Sequence, residues 1–207
     1  MNMGILKFFY GTMCSGKSLH LLATAYNFQE HKIPFLILKS NIDDRDGDNV
    51  VHSRALGDRE CMMVSSEDNI YNIISTNFQL FGKAYDIKWI LVDEAQFLTP
   101  EQIEQLVAIV DNYKINIYCY GLKSDFKTHL FPASKRLFEL ADELEEIPSI
   151  CYCGKKTMIN ARINSNKEIV TDGQQIEVGG DDRYVALCRD CYFRKTKHKY
   201  YKNIEDE

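Results

Sequence analysis

In the stretch Gly11-Thr12-Met13-Cys14-Ser15-Gly16-Lys17-Ser18, two glycines separated by four residues are followed at once by Lys and Ser. This is the pattern of a P-loop. Its backbone N–H groups converge on a triphosphate, its glycines allow close approach, Lys17 bridges the outer phosphates and the Ser18 hydroxyl ligates magnesium. A helix starting at the loop adds unpaired N–H groups and the positive end of its dipole. Further on, the apolar run Trp89-Ile90-Leu91-Val92 ends in Asp93-Glu94. An acid closing a buried strand is the second half of such a site. Asp93 would hold the magnesium, usually through water, because a hard cation prefers oxygen ligands and keeps part of its hydration shell. Glu94 stands where a carboxylate activates a nucleophile, either water, as in an ATPase, or a substrate hydroxyl, as in a kinase. The acidic pair alone does not choose between them.

A second chemistry lies near the C-terminus. Four of the seven cysteines form two close pairs, Cys151-Tyr152-Cys153 and Cys188-Arg189-Asp190-Cys191, around a β-prone segment. An odd cysteine count in a chain without export signals argues against a disulfide framework, and the layout is that of a zinc ribbon with four thiolates on one tetrahedral ion. The first pair has a gap of one residue and the second a gap of two, so the first turn must be tighter, with Gly154 supplying backbone freedom.

The elements that must position these groups follow from periodicity. Ile5 to Tyr10 is short, apolar and β-prone, and Leu19, Leu22, Ala23 and Tyr26 recur at helical spacing after the loop. Ile33 to Lys39 makes a second strand, and strand, helix, strand in this order predicts a parallel pair with a right-handed crossover, hence an α/β fold with a P-loop-type parallel sheet flanked by helices. From Ser40 to about Ser65 the periodicity dissolves, which predicts a mobile excursion near the phosphates, where Arg45 or Arg54 could meet charge on a transferring phosphoryl group. Ser66 to Phe81 reads as a helix; Thr99-Pro100-Glu101-Gln102 is a capped helix start, with Ile103, Leu106, Val107 and Val110 as its buried stripe. Ile115 to Gly121 is a core strand in which Cys119 is a small buried hydrophobe. The loop from Leu122 to Pro132 lies where ligands collect in open parallel sheets, and Phe126 there either stacks on a base or anchors packing. Ala133 to Leu144 reads as a last helix, with Asp142, Glu143, Glu145 and Glu146 as a solvated acidic end. Pro148 then divides a P-loop domain (1–148) from a small zinc domain (149–193), followed by a charged tail (194–207), basic from Arg194 to Lys202 and read as disordered. Gly179-Gly180 is a turn or a lid.

With 207 residues, 45% of them hydrophobic and 12% aromatic, the chain can build one full core plus a small appendage. No run approaches the length of a membrane span and no signal peptide opens the chain, so a cytoplasmic protein without a membrane partner is expected. A net charge of -5 argues against a surface built to attract nucleic acid.

Together these pieces resemble the type II thymidine kinases, homo-oligomeric enzymes with a P-loop α/β domain and a zinc-bearing lasso domain, over nearly the whole chain. The resemblance is carried by Gly11 to Ser18, Asp93-Glu94-Ala95-Gln96-Phe97, Tyr120-Gly121-Leu122-Lys123-Ser124-Asp125-Phe126, the two cysteine pairs and Val178-Gly179-Gly180-Asp181-Asp182-Arg183-Tyr184. It implies an ATP-dependent kinase acting on the 5′-hydroxyl of thymidine, and of deoxyuridine, in deoxynucleotide salvage. Magnesium and a structural zinc on Cys151, Cys153, Cys188 and Cys191 are implied with it, as are a homotetramer and feedback inhibition by dTTP. Glu94 would be the general base, with Lys17 and Arg45 beside it and Ser18 and Asp93 on the magnesium. The phosphates would be surrounded by Gly11 to Ser18 together with Asp93, Glu94, Ala95 and Gln96. Phe97, Leu122 and Phe126 would pack the thymine, Gln175, Ile176, Glu177, Val178 and Gly179 would offer the lasso main chain to its edge, and Tyr184 would lie at the deoxyribose. Asp43 and Arg45 align with an acid and an Arg near the phosphates, and Arg54 with its counterpart in a flexible hairpin.

Two departures stand out. The one-residue gap puts Cys151 in question as a ligand, and Asn160 replaces the Thr or Ser that many relatives carry near the thymine methyl. Two rivals remain from the residues themselves: a P-loop NTPase in which Glu94 activates water, with a zinc ribbon bound to nucleic acid, and a non-enzymatic module holding nucleic acid through the ribbon and the basic tail.

Overall fold

The computed structural model describes residues 4–42, 50–53, 57–81, 86–175 and 183–201. The apolar runs become strands β1 (Leu6–Gly11) and β2 (Phe35–Ser40), joined by helix α1 (Lys17–Glu30). Within the expected excursion, β3 (Val50–Ser53) and β4 (Gly57–Glu60) pair as an antiparallel ribbon, and β5 (Met62–Val64) joins β2. Helix α2 (Ile70–Phe81), strand β6 (Trp89–Asp93), helix α3 (Pro100–Tyr113), strand β7 (Asn116–Leu122) and helix α4 (Pro132–Leu140) follow. Strand β8 (Glu143–Glu146) completes a six-stranded parallel sheet in the order β5-β2-β6-β7-β1-β8.

The sheet is covered on both faces, so its strands alternate between two cores rather than between core and water. Phe8, Leu38, Ile90, Val92, Ile117 and Cys119 pack with Ile74 of α2, Leu106 of α3 and Leu137 of α4. Phe9, Ile37, Leu91 and Tyr120 pack with Leu21, Leu22 and Ala25 of α1. The α1 stripe is therefore rotated from the spacing read in sequence, and Leu19 and Tyr26 face outward. A 3.6-residue repeat identifies a helix, but which side faces inward is decided by how the P-loop feeds it onto the sheet. Cys119 is a buried hydrophobe, as read, and burial pushes its thiol well above the ordinary range.

The acidic stretch after α4 differs from expectation. The helix stops at Leu140, Asp142 accepts the Leu6 N–H at 2.7 Å, and residues 143–146 run beside β1 as an edge strand. Lys7 draws them in, with ion pairs to Glu143 and Glu145 at 3.0 and 2.8 Å. Main-chain pairing with a preformed edge outweighs the weak strand propensity of glutamate.

Beyond Pro148, β9 (Ile159–Ile163) is flanked by β10 (Ile169–Val170) and β11 (Tyr184–Leu187) in a small antiparallel sheet, and helix α5 (Arg189–Lys195) follows. The start of the basic tail is ordered rather than disordered, because His198 and Tyr201 pack on Phe193 with ring centroids 4.7 and 5.1 Å away. Residues 202–207 lie outside the described residues. Among the described residues no helix is long and apolar enough to cross a membrane.

At the start of α3 both halves of the capping box are present. The Thr99 side chain accepts the Gln102 N–H, and the Gln102 side chain accepts the Thr99 N–H. Gln102 also donates to the carbonyls of Ser65 and Asp68 at 2.7 and 3.0 Å, tying the entry of α2 to α3. Thr99→Ala should cost about 1 kcal/mol in urea unfolding. Gln102→Leu should cost more, because it removes the side-chain half of the capping box and also leaves two partly buried carbonyls without their donor.

Candidate active site

The carboxyl ends of β1, β6 and β7 bring the chemistry-bearing residues together. Gly16 sits at the N-cap of α1 in a left-handed conformation (φ 90°), and Lys17 folds back so that its Nζ donates to the Thr12 carbonyl at 2.7 Å. The Ser18 hydroxyl donates to Asp93 Oδ2 at 3.4 Å, which joins the two predicted magnesium ligands across the sheet. Asp93 is 3% exposed, and burial, then the charge of Glu94, push its carboxyl above the usual carboxylate range, with Lys39 and Lys17 opposing the rise. Such a carboxylate is the donor a hard divalent cation would relieve, so Ser18 and Asp93 fit magnesium.

Lys39 received no role from the sequence. It is wholly buried at the end of β2, in register with Asp93 on β6. The signal was a lysine ending an apolar strand, a position that reads equally well as a strand merely reaching solvent.

Glu94 follows Asp93 in a left-handed conformation (φ 49°), and Ala95–Phe97 form a short 3-10 turn. Gln96 Nε2 donates to Glu94 Oε2, while Gln96 Oε1 accepts the Leu122 N–H at 2.9 Å. Gln96, grouped with the phosphate contacts on sequence grounds, thus links the candidate base to the end of β7. Phe97 meets Phe131 edge-on at 6.1 Å.

That loop is organised by Asp125. Its Oδ1 accepts the N–H groups of Lys127 and His129, both at 2.9 Å, and its Oδ2 accepts Gln175 Nε2 at 2.9 Å. Phe126 is 1% exposed, with the Arg162 guanidinium stacked on its ring 3.8 Å from the centroid. Tyr184 pairs with Arg162 between β11 and β9. Asn160 is placed against the P-loop. Its Oδ1 accepts the Met13 N–H at 2.7 Å, next to a 2.8 Å hydrogen bond between the Thr12 and Thr157 hydroxyls. Asp43, Arg45, Arg54, Ile176, Glu177, Val178 and Gly179 lie outside the described residues.

The sulfurs of Cys151, Cys153, Cys188 and Cys191 all lie within 4.8 Å of one another. The tight first turn is made by Gly154, at φ 83°, whose N–H reaches the Cys151 carbonyl at 2.8 Å, so the one-residue gap still delivers Cys151 to the cluster. The thiols are pulled in opposite directions. The Lys155 backbone draws Cys153 down to about 7, whereas burial pushes Cys191 up to about 12 and raises Cys188. Ionised together, four sulfurs this close would repel one another without a cation among them, and the donor set is compatible with tetrahedral zinc.

Gly121 allows the close approach between β7 and Gln96. A Cβ there would lie 2.8 Å from Gln96 Oε1 and 3.2 Å from its backbone nitrogen. Gly121→Ala should therefore displace the carboxamide that holds Glu94 and cost about 1–3 kcal/mol in urea unfolding.

Comparison with known proteins gives this geometry a family. The thymidine kinase family profile matches residues 4–192. The chain is 43% identical over 193 residues to a thymidine kinase of Pasteurella multocida (strain Pm70), covering 93% of this chain and 98% of that protein. It is 41% identical over 193 residues to a thymidine kinase of Haemophilus influenzae (strain 86-028NP), with the same two coverages. A thymidine kinase of Legionella pneumophila (strain Paris) is 40% identical over 192 residues, covering 93% of this chain and 90% of that protein. The matched stretch runs from before the P-loop to beyond the last cysteine of the cluster, and the chain belongs to the thymidine kinase family.

Proposed function

We propose that this protein transfers the γ-phosphoryl group of ATP to the 5′-hydroxyl of thymidine, with Glu94 as general base. The observation that carries the reading is the Gln96 bridge, which orients the Glu94 carboxylate with one end and grips the last residue of β7, where the acceptor-side loop begins, with the other. A base joined in this way to the phosphate side and the acceptor side is suited to deprotonate a bound hydroxyl. The P-loop N–H groups and Lys17 hold the phosphates, and Glu94 takes the 5′-hydroxyl proton as that oxygen attacks the γ-phosphorus and the bond from that phosphorus to the bridging oxygen breaks, releasing ADP. Magnesium on Ser18 and Asp93 would supply charge neutralisation at the phosphates. Phe97, Leu122 and Gln175 line the base side and Phe126 supports it from beneath the Arg162 guanidinium, with residues 176–179 offering main chain and Tyr184 at the sugar. Arg45, with Asp43 and Arg54, belongs near the phosphates on sequence grounds.

In this reading residues 1–148 form the phosphate-binding unit, and zinc on the four cysteines stiffens the 149–193 unit that closes on the nucleoside. Deoxyuridine, which lacks only the methyl group, is a second acceptor. The triphosphate dTTP, carrying both base and phosphates, is an inhibitor, and the working form is a cytoplasmic homotetramer. The NTPase alternative is not favoured, because the family match spans both the phosphate loop and the cysteine cluster.

With magnesium ATP and thymidine, the wild-type protein should yield thymidine monophosphate, and Glu94→Gln should lower kcat by about 100-fold or more. Release of ADP and free phosphate alone would instead favour hydrolysis by water. Cys188→Ser should lose the bound metal, as read by metal analysis, and raise the KM for thymidine with the P-loop unit still folded. Full activity from demonstrably metal-free protein would contradict the structural role of zinc.

A further inference from the structure

Arg162, the penultimate residue of β9, is a charged residue with only 5% of its surface exposed. Its guanidinium does three things at once. It stacks on Phe126, donates from Nη1 to the Gln174 carbonyl at 3.2 Å, and donates from Nη2 to the Asp172 carbonyl at 2.9 Å. Between those two carbonyls stands Gly173, at φ 131°, where a Cβ would lie 2.1 Å from Nη2. The turn wraps the guanidinium so closely that a side chain has no room, and its backbone conformation is one that glycine alone adopts readily. The next residue, Gln175, donates to Asp125, and Asp125 caps the turn that carries Phe126. A closed circuit therefore runs from Phe126 through Arg162 and the 172–174 turn to Gln175, Asp125 and back.

We infer that Arg162, with Gly173 as its steric counterpart, is a positioning residue that sets the spacing between Phe126 and Gln175 and thereby the affinity for the nucleoside base. This rests on the assignment of Phe126 and Gln175 to the acceptor side. On the phosphate side, Lys17, Ser18 and Glu94 bond to Thr12, Asp93 and Gln96. Loosening the Arg162 circuit removes acceptor binding that is equally present in the ground and transition states, which raises KM and leaves kcat in place. Lysine keeps the charge but lacks the planar fork that stacks and donates to two carbonyls together, so it does not substitute for arginine here.

The test is steady-state kinetics and calorimetric thymidine binding on the full-length wild type, R162K and G173A, with metal content and urea unfolding measured in parallel. In both variants the KM and Kd for thymidine should rise about tenfold or more, with kcat and the KM for ATP within about twofold and metal content retained. An unchanged thymidine KM in both variants overturns the positioning role. So do parallel losses for ATP and thymidine with a lowered unfolding midpoint, because those mark fold maintenance only. Wild-type protein that makes no thymidine monophosphate overturns the functional reading itself, and this is visible before any variant is compared.

Discussion

Asp93 is a carboxylate removed from water at the end of a parallel strand, and the arrangement around it answers that cost. Lys39 on the neighbouring strand and Lys17 from the P-loop supply opposing charge, and the Ser18 hydroxyl reaches its outer oxygen. Removing either cation would leave buried charge uncompensated, which costs far more than the pairing gains. The parallel sheet makes the arrangement possible, because it aims the carboxyl ends of β1, β2, β6 and β7 at one edge.

The two sides of the reaction are joined by amide side chains rather than by charges. Gln96 spans from Glu94 to the Leu122 N–H, and Asn160 spans from the Met13 N–H toward the Ser124 carbonyl at 3.4 Å. Carboxamides suit this task because each carries both a donor and an acceptor, so one side chain can fix two elements in register. Through Asn160 and Thr157, the strand leading from the cysteine cluster bears directly on the phosphate loop. The cysteine-bearing unit and the Gly11–Ser18 loop are thus joined by direct hydrogen bonds. Glu94 adopts a left-handed conformation, as several other non-glycine residues of the chain do.

Much of the chemistry was legible because it depends on local spacing. Gly11 to Ser18, Asp93-Glu94 and the two cysteine pairs each owe their chemistry to neighbours a few residues away, and the capping box of α3 appears as its four residues require. Less legible were residues whose role comes from partners distant in sequence. Lys39 meets Asp93 across 54 residues (93 − 39), and Arg162 meets Phe126 across 36 (162 − 126). Neither partner marks the other in the chain. The run Glu143 to Glu146 reads as a solvated face until β1 offers an edge and Lys7 two ion pairs.

By itself the sequence determined the fold class, the phosphate-loop pattern with its acidic strand end, and the four clustered cysteines. Each of these is encoded in a short pattern whose geometry the backbone enforces locally. Only the tertiary structure decided which face of α1 is buried, that Asn160 supports the P-loop, and that Phe126 lies beneath a buried guanidinium. The physical reason is common to all three. Burial and long-range hydrogen bonds are set by packing between elements, and the energy of a buried polar group depends on what packing places around it rather than on its neighbours in the chain.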